Sequence, residues 1–107
     1  MSKKKLPPPL TGDELSRLAG RFKLLGEPMR LKILQSVCHQ PRMVNDIVEA
    51  TGSTQANVSK HLALLAAAGI LGREKDGQCV YYGLKDKLVV KLCELVRAQI
   101  AGKKTIR

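Results

Sequence analysis

Tryptophan is absent from the 107 residues, and aromatic residues together make up only 3% of them. That scarcity disfavours the stacking platforms with which proteins bind single-stranded nucleic acid. Cysteine is sparse too. Cys38, Cys79 and Cys93 are an odd set without a CxxC, so neither a secreted disulfide framework nor a zinc knuckle is indicated. No apolar run approaches the roughly 18 residues of a membrane span. The opening MSKKKLPPPL has no apolar stretch of signal-peptide length behind its lysines. A soluble, cytoplasmic chain with reduced thiols is expected. Catalytic groupings are missing as well: the two histidines fall on different elements, and no Ser/His/Asp set or phosphate-cradling glycine loop occurs. Asp46 and Glu49 read as a surface acidic patch. No enzyme and no cofactor is expected.

Acidic residues are few in relation to basic ones. Nine Asp and Glu stand against nineteen Lys and Arg, a formal charge of +10, and a surface that basic favours polyanions. With so few aromatics, duplex DNA is the better polyanion. The length suits one domain with one modest core.

Residues 1–10 combine lysines with Pro7, Pro8 and Pro9 and read as an extended basic arm without a fold of its own. Residues 11–101 read as the folded domain, and residues 102–107 as a basic tail. From Thr11, TGDELSRLAGRFKLLG sets Leu15, Leu18, Phe22 and Leu25 at helical spacing behind a hydroxyl cap, and Gly26 ends it. EPMRLKILQSVC begins a second helix with Pro28 in its first turn, stopped by Pro41. RMVNDIVEATG gives a short third helix with Val44, Ile47 and Val48 inward, closed by Gly52. Thr54 caps a fourth helix that Gly69 terminates. The joint between the third and fourth is very short, as in a helix-turn-helix unit. Next, ILGREKDGQCVYYGL carries Asp76-Gly77 between two short strands, a small hairpin wing. KDKLVVKLCELVRAQIAG closes the fold as a fifth helix with a broad stripe through Leu88, Val89, Leu92, Cys93, Val96 and Ile100. The expected class is mainly α with a β-hairpin wing between helices four and five.

The fourth helix poses the functional question. TQANVSKHLALLAAAGIL has an apolar stripe through Val58, Leu62, Leu65 and Ala66, while Gln55, Asn57, Ser59, Lys60 and His61 crowd its first two turns. A helix needing only solubility would more usually carry Glu and Lys along its outer face. Amides and hydroxyls gathered at the N-terminal end of a helix-turn-helix second helix suit base edges and phosphates in a major groove. Gln55 and Asn57 have the bidentate chemistry of adenine recognition, Lys60 reaches guanine or phosphate, and Ser59 serves either.

VSKHLALLAAAGIL followed by REKDGQCVYYGL and preceded by LLGEPMRLKIL resembles the bacterial ArsR/SmtB family of winged-helix repressors. The resemblance covers roughly residues 11–100. It implies a cytoplasmic homodimer joined by its first and last helices, bound to a double-stranded operator and released by an inducer. An imperfect palindrome is the operator expected of such a dimer. The family's recognition helix corresponds to Thr54 through Ala67, its recurring Ser and His to Ser59 and His61, and its wing to Arg73, Lys75 and the Asp76-Gly77 tip. The expected DNA-binding set is therefore Thr54, Gln55, Asn57, Ser59, Lys60, His61, Arg73 and Lys75.

The family's metal sites do not carry over. Members that sense arsenite, lead or cadmium place two cysteines in the third helix, where Met43 and Asn45 stand here. Zinc and nickel sensors use an Asp and a His near the start of the last helix with a His and a carboxylate further on. Asp86 fits the first position, but Leu88, Gln99 and Gly102 occupy the others. No metal site is expected. Cys38, with His39, Lys32 and Arg42 near it in sequence to favour thiolate, and Cys93 remain as candidate sensing thiols for oxidant, sulfane sulfur or arsenite. Plain core packing is the competing role for Cys93, which lies along the stripe of Val89, Leu92 and Val96. Two other readings stay open: a winged helix used only to dock proteins, which would favour exposed aromatic or Met anchors, and a constitutive repressor without an inducer.

Overall fold

The computed structural model describes residues 7–102. The lysines of the basic arm, within residues 1–6, and residues 103–107 of the basic tail at 102–107 lie outside them. Pro7 to Leu10 are exposed and belong to no helix or strand.

Helix α1 (Gly12–Leu25) starts at a capping box: the Thr11 hydroxyl accepts from the Glu14 N–H at 3.1 Å while the Glu14 carboxylate accepts from the Thr11 N–H at 2.9 Å. The cap at Gly26 donates its N–H to the Phe22 and Lys23 carbonyls. Helix α2 (Pro28–Val37) is capped by Glu27, whose carboxylate accepts from the Arg30 N–H at 3.1 Å. Helix α3 (Val44–Thr51) closes on Gly52 at φ 72°, the left-handed region that only glycine enters freely. Two residues further, Thr54 caps α4 (Gln55–Ala67) by accepting from the Asn57 N–H at 3.1 Å. After Gly69 follow the wing strands and α5 (Lys87–Ala101).

The third helix starts later than its sequence suggests. Arg42–Met43 form a strand, β1, that pairs antiparallel with β3 (Cys79–Leu84), which in turn pairs with β2 (Leu71–Asp76). The expected hairpin is thus the greater part of a three-stranded sheet of order β1-β3-β2. Pro41 disfavours a helical conformation at the residue before it, and pairing with Tyr82 and Tyr81 supplies the hydrogen bonds that a helix would otherwise have given Arg42 and Met43. The tip shifts by one residue as well. Asp76 pairs with Cys79, so the loop is Gly77-Gln78, with positive φ at Gly77 alone, as a type II′ turn requires.

The core lies between α2, α3, α4 and the base of the wing. Ile33, Val37, Ile47, Val58, Leu62, Leu65, Ile70 and Leu71 are its fully buried side chains. Each contributes on the order of 1.5–3 kcal/mol relative to exposure. The outer helices add little. Leu25 is the one buried residue of α1 and Val89 that of α5. The apolar stripes read from the sequence for those two helices mostly face outward instead, with Phe22 53%, Leu88 71% and Ile100 74% exposed.

Gly83 is a close approach. A Cβ there would lie 3.1 Å from Pro41 Cγ and 3.3 Å from Pro41 Cβ, just before β1 pairs with β3. Gly83→Ala should therefore lower the urea midpoint, through an overpacking cost on the order of 1–3 kcal/mol in folding stability. An unchanged midpoint would show that Pro41 yields without strain.

Candidate nucleic-acid interface

The roll of α4 decides what it presents. With Val58, Leu62 and Leu65 buried, Gln55, Ser59 and Lys60 stand exposed in its first two turns, Lys60 opposite the buried stripe, Ser59 on its flank and Gln55 at the open N-terminal end. Thr54 is exposed, but its hydroxyl is occupied as the cap of the helix. Asn57 is half-buried, and its amide nitrogen donates to the Ser53 hydroxyl at 2.8 Å, which commits part of the group to holding the turn between α3 and α4. The exposed polar end contains no acidic residue in its first turn, so it adds no repulsion toward a phosphate backbone.

His61 departs from the expected DNA-facing set. It is only 6% exposed, and its Nδ1 accepts from Arg30 Nε at 3.1 Å. An imidazole so enclosed presents little of its surface to a groove. The reason is helical spacing: position 61 lies three after Val58 and four before Leu65, on the inner stripe. Arg30 extends the link, donating from Nη1 to the Leu24 carbonyl at 3.0 Å. His61 thereby joins the middle of α4 to the end of α1 through α2.

Arg73 and Lys75 are both exposed on β2, opposite Tyr82 and Val80 respectively. Among the thiols, Cys79 is exposed and Cys38 half-buried, its Sγ donating to the Gln35 carbonyl at 3.3 Å. Cys93 is half-buried and packs against the core cluster. Of the cations near Cys38 in sequence, Arg42 points elsewhere, donating from Nε to the Ser36 carbonyl at 2.6 Å. His39 lines a shallow depression of about 390 Å³ with Asp46 and Glu49 that Cys38 does not line. Among the described residues, no group of three or more His, Cys, Asp and Glu side chains is placed to hold a metal ion.

Residues 27–72 match the family model described as bacterial regulatory protein, arsR family. Over 86 residues the chain is 31% identical to the HTH-type transcriptional regulator NmtR of Mycobacterium tuberculosis, covering 80% of this chain and 72% of that protein. The chain belongs to the ArsR family. It spans 64% to 66%, just under two thirds, of the length of the curated relatives it matches first. Among solved structures, it is similar to the AntR antimony-specific transcriptional repressor, at a TM-score of 0.78 and 26% identity, covering 97% of this chain and 92% of that one. It is also similar to the homodimeric winged helix-turn-helix DNA-binding domain of Mb0332 from Mycobacterium bovis, at a TM-score of 0.72 and 29% identity, covering 81% of each. The winged helix-turn-helix architecture of this ArsR-family chain is that of these neighbours.

Sequence pattern alone overlooked Arg21 and Arg30. A signal for Arg21 existed, since it lies three after Leu18 and four before Leu25, on the inner side of α1. The enclosed pair gives a direct expectation. His61→Ala leaves the Arg30 Nε–H without its acceptor and should cost on the order of 1–3 kcal/mol of folding stability. Gln55→Ala, on the exposed side, should stay within about 0.5 kcal/mol of the parent. Urea unfolding of the two variants checks both, and a His61→Ala midpoint equal to the parent's would contradict the pairing.

Proposed function

We propose that this ArsR-family chain is a homodimeric repressor that reads duplex DNA with the N-terminal half of α4. The observation that carries the reading is the sidedness of that helix: Gln55, Ser59 and Lys60 outward, with Val58, Leu62 and Leu65 fully buried behind them. Amide and hydroxyl groups there have the hydrogen-bonding range for base edges, and Arg73 and Lys75 on the wing supply phosphate attraction. Homodimerisation is supported by the apolar residues that α1 and α5 leave exposed, Leu15, Leu18 and Phe22 on one and Leu88, Leu95 and Ile100 on the other. The homodimeric state of the Mb0332 domain and the repressor role of AntR agree with it. The chain would act in the cytoplasm.

For induction, the same proposal runs through thiols, and Cys38 is the stronger candidate. It is half-buried at the end of α2, whereas the packing of Cys93 against the core favours a filling role for that residue. Operator release by oxidant, polysulfide or arsenite that persists in a Cys38→Ser, Cys93→Ser double variant would remove this part. No release from the parent under any of them would favour the constitutive repressor.

Selection from random duplexes with the purified protein should return an imperfect palindrome whose half-sites lie one helical turn apart, about 34–36 Å centre to centre. On that site Gln55→Ala should lose on the order of 1–3 kcal/mol and relax base preference, while Lys75→Ala should weaken all duplexes alike and lower the salt slope by about one. A chain that is monomeric at micromolar concentration in light scattering, or one that selects no site, would turn the reading toward a protein-docking winged helix.

A further inference from the structure

Helix α1 touches the rest of the molecule through few buried side chains, and its most directional link is Arg21. The guanidinium donates in two directions: Nη1 to the main-chain carbonyl of Ala68 at 2.9 Å, and Nη2 to Asp86 Oδ2 at 2.7 Å. Ala68 is the cap residue that closes α4, and Asp86 is the N-cap of α5, its other oxygen accepting from the Leu88 N–H at 3.0 Å. One side chain therefore joins the two helices that carry the exposed apolar faces to the helix that carries Gln55. Main-chain bonds reinforce the place, with the N–H groups of Lys85 and Asp86 both donating to the Ile70 carbonyl, at 2.9 and 3.1 Å.

The chemistry of the joint suits arginine better than lysine. The last carbonyls of a helix lack intrahelical partners and carry partial negative charge, so a cation there is favourable. A planar fork can serve a carbonyl and a carboxylate at once, whereas the compact ammonium of lysine cannot hold both in one fixed geometry. Gly69, at φ 78°, turns the chain away directly after the bonded carbonyl, so the bond is made at the point where α4 gives way to the wing.

We propose that Arg21 is a positioning residue that fixes the angle of α4 against the α1 and α5 face and so sets the separation of the two DNA-reading surfaces in the dimer; this rests on the function proposed above. Removing the fork leaves α4 folded, because Val58, Leu62 and Leu65 still bury its inner stripe. What it loosens is the far end of α4 relative to the start of α5. A palindromic site feels that change through both subunits together. A random duplex, which demands no fixed spacing, does not.

The test uses Arg21→Gln, Arg21→Lys and Asp86→Asn in the full chain, with circular dichroism to confirm that each is folded. Amide hydrogen exchange requires no DNA. Arg21→Gln and Arg21→Lys should both exchange roughly tenfold faster at residues 66–71 and 86–90 and as the parent does in α3. On the selected palindrome both should bind about tenfold more weakly, a usual size for coupling through a structural element, and tolerate altered half-site spacing better than the parent. Arg21→Lys keeps the charge, so its affinity for random duplex should match the parent's. Asp86→Asn retains a good cap and the Ala68 bond and should fall between. Parent-like exchange in both Arg21 variants would overturn the proposal, as would faster exchange with unchanged operator affinity and spacing preference. Should an Arg21 variant fail to fold, Asp86→Asn carries the same two readouts. If the parent binds no duplex at all, the proposed function falls, while the exchange measurement decides by itself whether Arg21 holds the joint.

Discussion

Burial of Val58, Leu62 and Leu65 against α2 and α3 fixes the roll of α4, and the character of the candidate site follows from that roll. At 3.6 residues per turn, a rotation by one position is about 100°, enough in one sense to carry Ser59 into the inner stripe and to bring His61 to the surface. The short joint at Gly52 adds a second restraint, since only a few backbone angles lie between the end of α3 and the Thr54 cap. Asn57 bonding to Ser53 across that joint stiffens it further. Rigid packing behind a polar face is what a surface that discriminates between bases requires, because hydrogen bonds to base edges fail when their donors are misplaced by a fraction of a bond length.

The same small core explains the outer helices. A domain of this size covers the stripes of α2, α3 and α4 and the wing base, and little apolar surface is left inside for α1 and α5 to pack against. Their inner sides contribute Leu25 and Val89, with Leu92 and Cys93 half-covered. Their outer sides keep leucines, isoleucine and phenylalanine that neither capping nor charge pairing accounts for. The Asp13–Arg17 pair on α1 is largely exposed on both sides and adds little to stability. Apolar surface on two helices at the edge of a basic molecule is the counterpart of the polar face on α4: one is suited to a second copy, the other to a polyanion.

Local chemistry made the helices legible in the sequence. Thr11 with Glu14, Pro28 after Glu27, and Thr54 are read within four residues, and each appears in the structure as the cap or first turn it implies. Features that depend on distant partners were not legible. Arg42 and Met43 form a strand only because Tyr81 and Tyr82, some forty residues on, present an open edge. Residue type groups His61 with its polar neighbours, whereas its spacing from Val58 and Leu65 puts it on the inner stripe. By composition Arg21 and Arg30 are two of nineteen basic residues and nothing more. Composition cannot distinguish a guanidinium that meets solvent from one that meets a carbonyl across the fold.

That distinction divides the cations of the molecule in a physically consistent way. Arg21, Arg30 and Arg42 each donate to a main-chain carbonyl at the end of a helix: Ala68 closing α4, Leu24 in the last turn of α1 and Ser36 in the last turn of α2. The described lysines are all exposed. Guanidinium is weakly hydrated and rigidly forked, so enclosing it beside an unpaired carbonyl costs less than enclosing an ammonium, and it satisfies the acceptors that a helix terminus leaves over. Ammonium groups such as those of Lys60 and Lys75 remain in water, where they act at a distance as point charges. Part of the arginine charge is thus directed inward to hold α4 in place, and the exposed lysines with Arg73 carry much of the long-range field that a polyanion would feel. The guanidinium groups that brace α4 and the exposed charges that a polyanion would feel are therefore separable by substitution, because they belong to different residues.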